Sequence, residues 1–237
     1  MGDLITMDDL SNKEITNLLD NAERLLPVAK GDIHLPLLEG KVLANMFFEN
    51  STRTRMSFES AMKRLGGSVL NFSSAGSSVV KGETLYDTMQ MVDGYADVAA
   101  IRHPQQGAAQ YSADAIEIPV LNAGDGAGNH PTQTLLDLFT IREAHGTLEG
   151  LNVVLVGDLR YGRTAHSLSH ALVRFGATLT LVSPDSLRMP SEIVADLTVG
   201  GAEVTETADF TGTIAGADVI YMTRIQKERF PDEDEYS

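Results

Sequence analysis

The stretch KVLANMFFENSTRTRMSFESAMKRLGGSVLNF, residues 41–72, decides the fold. Its first nine residues are mostly apolar and predict a buried strand. Apolar side chains then recur at helical spacing until the pair Gly66-Gly67, namely Phe58, Ala61, Met62 and Leu65. Residues 68–72, SVLNF, predict a second strand. A strand, a helix and a strand in this order form a βαβ unit, which is typical of α/β proteins with a parallel sheet.

The same alternation continues along the chain. Further strands are predicted at 97–102, 118–124, 151–158, 178–184 and 217–224, with helices over 84–95, 132–146 and 162–176. Glycines cluster at 146–150, where one helix ends and a new strand begins. We therefore expect two doubly wound parallel-sheet domains, residues 1–146 and 147–237.

Charge and composition limit the classes of function. The 237 residues carry a net charge of −15, which disfavours nucleic acid or an anionic membrane surface as a partner. The absence of cysteine excludes disulfides, thiolate metal sites and cysteine nucleophiles. No apolar run has the length of a membrane span, and MGDLITMDDL at the start lacks the pattern of a secretory leader. These features predict a cytoplasmic protein.

Five consecutive residues, Ser51-Thr52-Arg53-Thr54-Arg55, concentrate hydroxyl groups and positive charge just after the predicted strand. A helix that begins there directs free backbone N–H groups toward one point, and an arginine can donate to two phosphate oxygens at once. The pattern fits an anion site, although a polar helix start with solvated arginines would show the same residues.

A second glycine-rich segment, GDLRYGRT at 157–164, fits a Walker A pattern in which Arg163 replaces the lysine. The missing lysine and the acidic Asp158 within the loop disfavour a nucleoside triphosphate as the ligand.

Four histidines are candidates for chemistry. His166 and His170 have the i, i+4 spacing of zinc ligands, but no glutamate lies between them, so we expect surface or core residues. His103 and His130 each precede a proline at the end of a predicted strand or turn. Each is either structural or, near the pentapeptide, placed to polarise a carbonyl group.

Residues 73–83, SSAGSSVVKGE, predict a loop that carries Ser77 and Lys81. Two interpretations are open: a mobile surface loop, or a lid that brings a second cation to a phosphate.

Six motifs in the same order resemble the catalytic chain of aspartate carbamoyltransferases from Leu4 to about Arg229: FENSTRTR, VVKGET, IRHPQQGAA, LNAGDGAGNHPTQTLLDLFTI, VGDLRYGRTAHSL and YMTRIQKER. The STRTR and HPxQ elements occur throughout the transcarbamoylases, the ornithine enzyme included. The RHPQxGAA, GRTxHSL and TRxQxER elements are typical of the aspartate branch.

The resemblance implies that residues 1–146 bind carbamoyl phosphate and that no metal or organic cofactor is used. Arg53, Thr54, Arg102 and His130 would be catalytic. The carbamoyl phosphate ligands would be Ser51, Thr52, Arg53, Thr54, Arg102, His130 and Gln133, with Ser77 and Lys81. Donors around the carbamoyl oxygen would stabilise the negative charge of a tetrahedral intermediate.

The resemblance also implies that residues 147–237 bind L-aspartate through Arg163, Arg224 and Gln226, with help from Lys81. Ser77 and Lys81 would reach the active site of a neighbouring subunit, which implies a homotrimer with shared sites. Regulatory chains are a further class of partner that the resemblance allows. The product would be N-carbamoyl-L-aspartate, an early intermediate of de novo pyrimidine biosynthesis.

One departure from the family is visible. A His-Pro-Leu-Pro-Arg element and further strands and helices should follow Arg224, and they are absent from these 237 residues. We therefore expect a C-terminally truncated chain whose aspartate domain is incomplete and whose own activity is open. A transcarbamoylase for another amine, and a non-catalytic ligand-binding or assembly subunit, are the alternatives.

Overall fold

The computed structural model describes residues 2–126 and 128–224 and contains two four-stranded sheets. The strands are β1 Val42–Phe47, β2 Ser68–Ser73, β3 Val98–His103, β4 Val120–Asp125, β5 Asn152–Val156, β6 Thr178–Val182, β7 Val204–Thr207 and β8 Val219–Met222. The α-helices are α1 Asn12–Lys30, α2 Thr52–Arg64, α3 Leu85–Asp93, α4 Ala108–Ala115, α5 Pro131–His145, α6 Arg163–Val173, α7 Ser191–Val199 and α8 Phe210–Thr213. Short 3₁₀ turns lie at Met7–Asp9, Ser74–Gly76, Ser78–Lys81, Asp185–Leu187 and Ile214–Gly216.

The first sheet has the order β2-β1-β3-β4, and all its strands are parallel. Alternate side chains of β1 enter different cores. Ala44 and Met46 pack with residues of α3 and α4, whereas Leu43 packs with Met62 of α2. Helices therefore cover both faces of the sheet, as a doubly wound fold requires.

The second sheet has the order β7-β6-β5-β8, again with every strand parallel. Its central strand β5 is buried from Val153 to Val156, because β6 and β8 flank it and apolar side chains cover it. In both sheets the strand order reverses direction at one point, between β1 and β3 and between β5 and β8. Ligands of open α/β sheets bind at the carboxyl ends of the strands at such points.

The α/β class and the parallel sheets expected from the sequence are confirmed. Four elements that the sequence pattern did not reveal are α4, α7, α8 and β7. The N-cap residues of α4 and α7, Gly107 and Pro190, make no side-chain capping bond, so the usual start signal is absent. Strand β7 has only four residues and is half exposed, so it shows no hydrophobic alternation.

Contacts divide the chain into two compact units, Met1–Leu135 and Leu136–Ser237. We call them unit 1 and unit 2. The division falls inside α5, whereas the sequence places the boundary at the end of that helix, after residue 146; the latter stays a prediction. In the part of the chain that the structure describes, every helix is too short or too polar to cross a membrane.

Candidate active site

The turn from β1 into α2 carries the first candidate residues in unit 1. Ser51 is the N-cap of α2 in an extended conformation, and its hydroxyl makes no capping hydrogen bond. The first turn of the helix contains no acidic residue and includes Arg53 and Arg55. Cations are unfavourable at a helix N-terminus because the helix dipole is positive there. This arrangement suits a bound anion, which both the dipole and the arginines would stabilise.

Arg102 lies at the end of β3, directly beside Phe47 of β1 in the sheet register. Its side chain is only 12% exposed, and its Nη2 forms an ion pair with Glu49 Oε1 at 3.2 Å. Its Nη1 donates to the carbonyl oxygen of Ala123 at 3.3 Å, while the buried Nε has no partner. A buried guanidinium N–H without an acceptor is costly, so the group is prepared for a further acceptor.

His130 and Gln133 follow the next strand, β4. Asp125 at the end of β4 is buried and organises the loop: its Oδ1 accepts from the backbone N of Asn129 at 2.7 Å. Its Oδ2 accepts from the backbone N of Gly107 at 2.9 Å. His130 is buried, and its Nδ1 lies 3.3 Å from Thr132 Oγ1. Since β1, β3 and β4 are parallel neighbours, the residues that follow them share one edge of the sheet.

His103 has a different environment from His130. Its Nδ1 accepts from the backbone N of Gln105 at 3.0 Å, and its ring lies 5.0 Å from that of Phe48. Burial lowers the pKa of His103, so the ring is neutral at physiological pH. These contacts favour the structural interpretation of this histidine.

Two 3₁₀ turns follow β2: Ser77 lies between them, and Lys81 is the last residue of the second. Ser77 Oγ donates to the carbonyl oxygen of Ser74 at 3.0 Å and accepts from the backbone N of Val79 at 3.3 Å. Lys81 is exposed. Within the described residues, neither side chain contacts the pentapeptide at the start of α2 by a hydrogen bond or ion pair.

The loop between β5 and α6 in unit 2 is closed by its own hydrogen bonds. Asp158 is buried, and its Oδ1 accepts from the backbone N of Tyr161 at 3.0 Å. The backbone N of Leu159 donates to carbonyl oxygens of Gly157 and Leu187, both at 3.1 Å. A Walker loop would direct these N–H groups at phosphates. Their use within the protein argues against a triphosphate site.

Arg163 is the first residue of α6, and Arg224 follows β8. The backbone N of Thr223 donates to the carbonyl oxygen of Val156 at 2.8 Å, so β8 continues beside β5 up to that point. Both arginines therefore follow the carboxyl ends of β5 and β8, the two strands between which the strand order reverses. Gln226 lies outside the described residues.

His166 stabilises this loop and shows no sign of metal binding. Its Nε2 lies 2.6 Å from the carbonyl oxygen of Leu159. Burial lowers the pKa of His166, with a smaller effect of His170 in the same direction. No cluster of three metal-ligating side chains occurs within residues 2–126 and 128–224.

Two acidic residues with side-chain partners, one in each unit, escaped the sequence analysis. Glu49 lies two residues before Ser51, and its position beside Arg102 depends on the sheet register. Asp137 on α5 accepts from Tyr221 Oη at 3.1 Å, and burial raises the pKa of Tyr221 to about 12. Both partnerships join residues far apart in the chain, so no local pattern reveals them.

Comparison with known proteins identifies the family. Residues 2–143 match the model described as aspartate/ornithine carbamoyltransferase, carbamoyl-P binding domain. Residues 149–237 match the corresponding Asp/Orn binding domain.

Individual relatives agree with these matches. The aspartate carbamoyltransferase catalytic subunit of Thermococcus onnurineus is 56% identical over 235 residues, which is 99% of this chain and 76% of the relative. The catalytic subunit of M. jannaschii aspartate transcarbamoylase superposes with a TM-score of 0.94 at 47% identity, over 100% of this chain and 78% of the other. The Trypanosoma cruzi aspartate transcarbamoylase, in complex with carbamoyl phosphate and aspartate, superposes with a TM-score of 0.91 at 41% sequence identity. The match covers 99% of this chain and 75% of the other. The chain belongs to the aspartate carbamoyltransferase family of transferases.

Proposed function

We propose that this protein transfers the carbamoyl group of carbamoyl phosphate to the α-amine of L-aspartate. The products are N-carbamoyl-L-aspartate and phosphate, and the reaction is an early step of pyrimidine biosynthesis. Family membership supports the reaction class, and the Trypanosoma cruzi relative that was crystallised with both substrates supports their identity.

The observation that carries the proposal is the anion site of unit 1. Ser51 leaves its hydroxyl unused at the N-terminus of α2, and the first turn of that helix is basic. Arg102 at the adjacent strand end has a buried Nε without a partner. Together they offer what a phosphate dianion needs: backbone donors, hydroxyl groups and fork-shaped guanidinium groups. We assign the phosphate to Ser51, Thr52, Arg53, Thr54 and Arg102.

The carbamoyl group requires donors where charge develops during the reaction. The amine nitrogen attacks the carbonyl carbon, a C–N bond forms and the carbonyl oxygen becomes an oxyanion. We assign Thr54, Arg102 and His130 as donors to this oxygen and Gln133 as the partner of the carbamoyl nitrogen. The oxyanion then re-forms the carbonyl group as the carbon–oxygen bond to phosphate breaks. Phosphate leaves with the electron pair and accepts the proton that the nitrogen loses.

Aspartate brings two carboxylates, and unit 2 offers two arginines at the edge where ligands of α/β sheets bind. Arg163 and Arg224 suit planar carboxylates because each guanidinium donates two parallel hydrogen bonds. The backbone N–H groups of Leu159 and Tyr161 donate within the loop at 157–161, which disfavours a phosphate there and fits a site in which side chains bind the ligand. We also assign Gln226 to aspartate.

We infer a cytoplasmic homotrimer in which Ser77 and Lys81 serve the active site of a neighbouring subunit, with Lys81 also contacting aspartate. The exposure of Lys81 supports this assignment. Regulatory chains are a further class of partner consistent with the name of the catalytic-subunit relatives.

The test measures product formation from labelled carbamoyl phosphate with purified protein and a panel of amine acceptors. We expect N-carbamoyl-L-aspartate with L-aspartate and no product with ornithine. Product with ornithine instead would contradict the substrate assignment. Calorimetric binding of carbamoyl phosphate without turnover of any acceptor would make the protein a binding subunit.

A further inference from the structure

Asn45 is a polar residue in the centre of an otherwise apolar strand. It lies in β1, is 0% exposed, and shares a face of the sheet with Leu43, which packs against α2. Buried asparagines require partners for both ends of the side-chain amide. The partners of Asn45 connect it to the helix that carries the proposed phosphate site.

A chain of hydrogen bonds leads from Asn45 to α2 at two points. Its Nδ2 donates to the carbonyl oxygen of Arg55 at 3.1 Å and to Oδ1 of Asn71 at 3.2 Å. Asn71 is the register partner of Asn45 on β2. The Nδ2 of Asn71 in turn donates to Glu59 Oε2 at 3.0 Å. The first and second turns of α2 are thus both attached to the sheet through one pair of amides.

The negative charge of Glu59 determines which group donates and which accepts in each of these hydrogen bonds. Its other oxygen accepts from Lys63 at 2.6 Å, and the hydrogen bonds from Lys63 and Asn71 lower the pKa of Glu59. An ionised carboxylate only accepts hydrogen bonds, so Asn71 must present its NH₂ group to Glu59 and its oxygen to Asn45. Asn45 must then present its own NH₂ group to Asn71 and to Arg55.

This orientation leaves Asn45 Oδ1 buried without a partner. Burial of an unpaired polar atom is unfavourable, whereas an apolar side chain of similar size at this position would remove the penalty. Stability alone therefore does not account for an asparagine here. What the amide adds is a directional link between the sheet and the carbonyl of Arg55, in the same helical turn as Arg53 and Thr54.

We propose that Asn45 and Asn71 are positioning residues, which hold the first turn of α2 at the location where its backbone N–H groups, hydroxyls and Arg53 meet the phosphate. The proposal rests on the assignment of the phosphate to the N-terminus of α2. Asn45 and Asn71 would act on the phosphate site through the position of α2 and not through direct contact with the substrate.

The principal test is Asn45→Leu, with the affinity for inorganic phosphate measured by calorimetry and the thermal midpoint measured in parallel. Loss of one buried hydrogen bond to the helix weakens phosphate binding about three- to tenfold, by the usual net strength of such bonds. The thermal midpoint stays the same or rises, since the variant also removes the unpaired Oδ1. A residue with a purely structural role would show the reverse: a lower midpoint with unchanged affinity.

A matched pair at Glu59 separates position from charge. Glu59→Gln and Glu59→Ala both remove a negative charge from α2, which by itself would strengthen the binding of an anion. Only Glu59→Gln keeps an oxygen that can accept from Asn71. We expect Glu59→Ala to bind phosphate at least threefold more weakly than Glu59→Gln. Asn71→Ala, at an exposed position that leaves no cavity, should match Asn45→Leu and replaces it if the latter does not fold.

Equal phosphate affinity in Asn45→Leu, Asn71→Ala and the unsubstituted protein would overturn the proposal. The readout is independent of the reaction. If phosphate binds and the variants weaken it while no carbamoyl-aspartate forms, the positioning role holds and the proposed function fails. If the unsubstituted protein does not bind phosphate, both fail. Where activity is present, the variants should raise KM for carbamoyl phosphate and leave KM for aspartate unchanged.

Discussion

Replacement of Arg102 by methionine tests the anion site most directly. Methionine has a similar length and apolar stem but neither charge nor donors. Arg102 donates one hydrogen bond to Ala123 and forms an ion pair with Glu49, whose side chain is 38% exposed. Loss of the arginine therefore leaves a carboxylate that water can solvate. We expect a stability loss of about 1 kcal/mol, the net value of one hydrogen bond.

The loss of phosphate affinity should be much larger. A hydrogen bond to a charged group contributes about 1.5–3 kcal/mol, so its loss should increase the dissociation constant for phosphate roughly 10- to 150-fold. Calorimetry with inorganic phosphate at fixed ionic strength measures this constant, and initial rates at varied carbamoyl phosphate measure kcat/KM. The phosphate affinity of Arg102→Lys should lie between those of Arg102→Met and the unsubstituted protein, since lysine keeps the charge but cannot donate two parallel hydrogen bonds.

Arg64→Met is the matched control. Arg64 lies at the other end of α2 and also donates to a backbone carbonyl, that of Val28 at 3.2 Å. Arg64 lies eleven positions after Arg53, or about 16 Å along the helix axis, which is about twice the screening length in physiological salt. We expect the control to bind phosphate within a factor of two of the unsubstituted protein. A change below threefold in Arg102→Met, with a stability loss above about 3 kcal/mol, would refute the role of Arg102 in anion binding.

Three further predictions concern the other groups described above. Arg53→Ala should reduce kcat/KM for carbamoyl phosphate by at least tenfold in steady-state assays, whereas His166→Ala should reduce it less; the opposite order would contradict the site assignment. The folded-state pKa values of His103 and His166 lie below the usual 6.5, so the unfolded chain binds more protons and stability falls as the pH decreases through and below 6.5. Urea denaturation at several pH values should show this loss, and His166→Gln should reduce it; an unchanged dependence would contradict the burial of that ring. Gly126→Ala should destabilise the protein by more than about 1 kcal/mol in the same assay, because φ is +54° and the new Cβ would lie 2.5 Å from the carbonyl oxygen of Pro104; a neutral effect would show that the turn relaxes.

Local sequence patterns determined much of unit 1. The apolar run before Ser51, the helical spacing after it and the glycine pair at 66–67 specify strand, helix and strand, because backbone conformation follows from side-chain periodicity and from turn residues. The same patterns placed α5 and β5 to within a few residues. They did not reveal α4, whose start depends on the carboxylate of Asp125 binding the backbone N of Gly107 from eighteen residues away.

The candidate residues themselves came from the sequence, since charge and hydroxyl groups in Ser51–Arg55 are visible without coordinates. The burial and the hydrogen-bond partners of these side chains were not visible from the sequence. That Arg102 has a buried Nε without a partner, and that Glu49 lies beside it, follows from the pairing of β1 with β3. The closed loop at Asp158, which argues against a triphosphate, likewise depends on hydrogen bonds that a glycine pattern does not specify.

The sequence by itself determined the alternation of strands and helices, the chemical types gathered after β1 and β5, and the resemblance to the transcarbamoylases. Only the tertiary structure decided the order β2-β1-β3-β4, and with it the neighbours of each strand end. It also decided that Asn45 pairs with Asn71 and holds α2. The physical reason is that periodicity reports which face of an element is buried, whereas strand order and side-chain partners depend on packing between segments far apart in the chain.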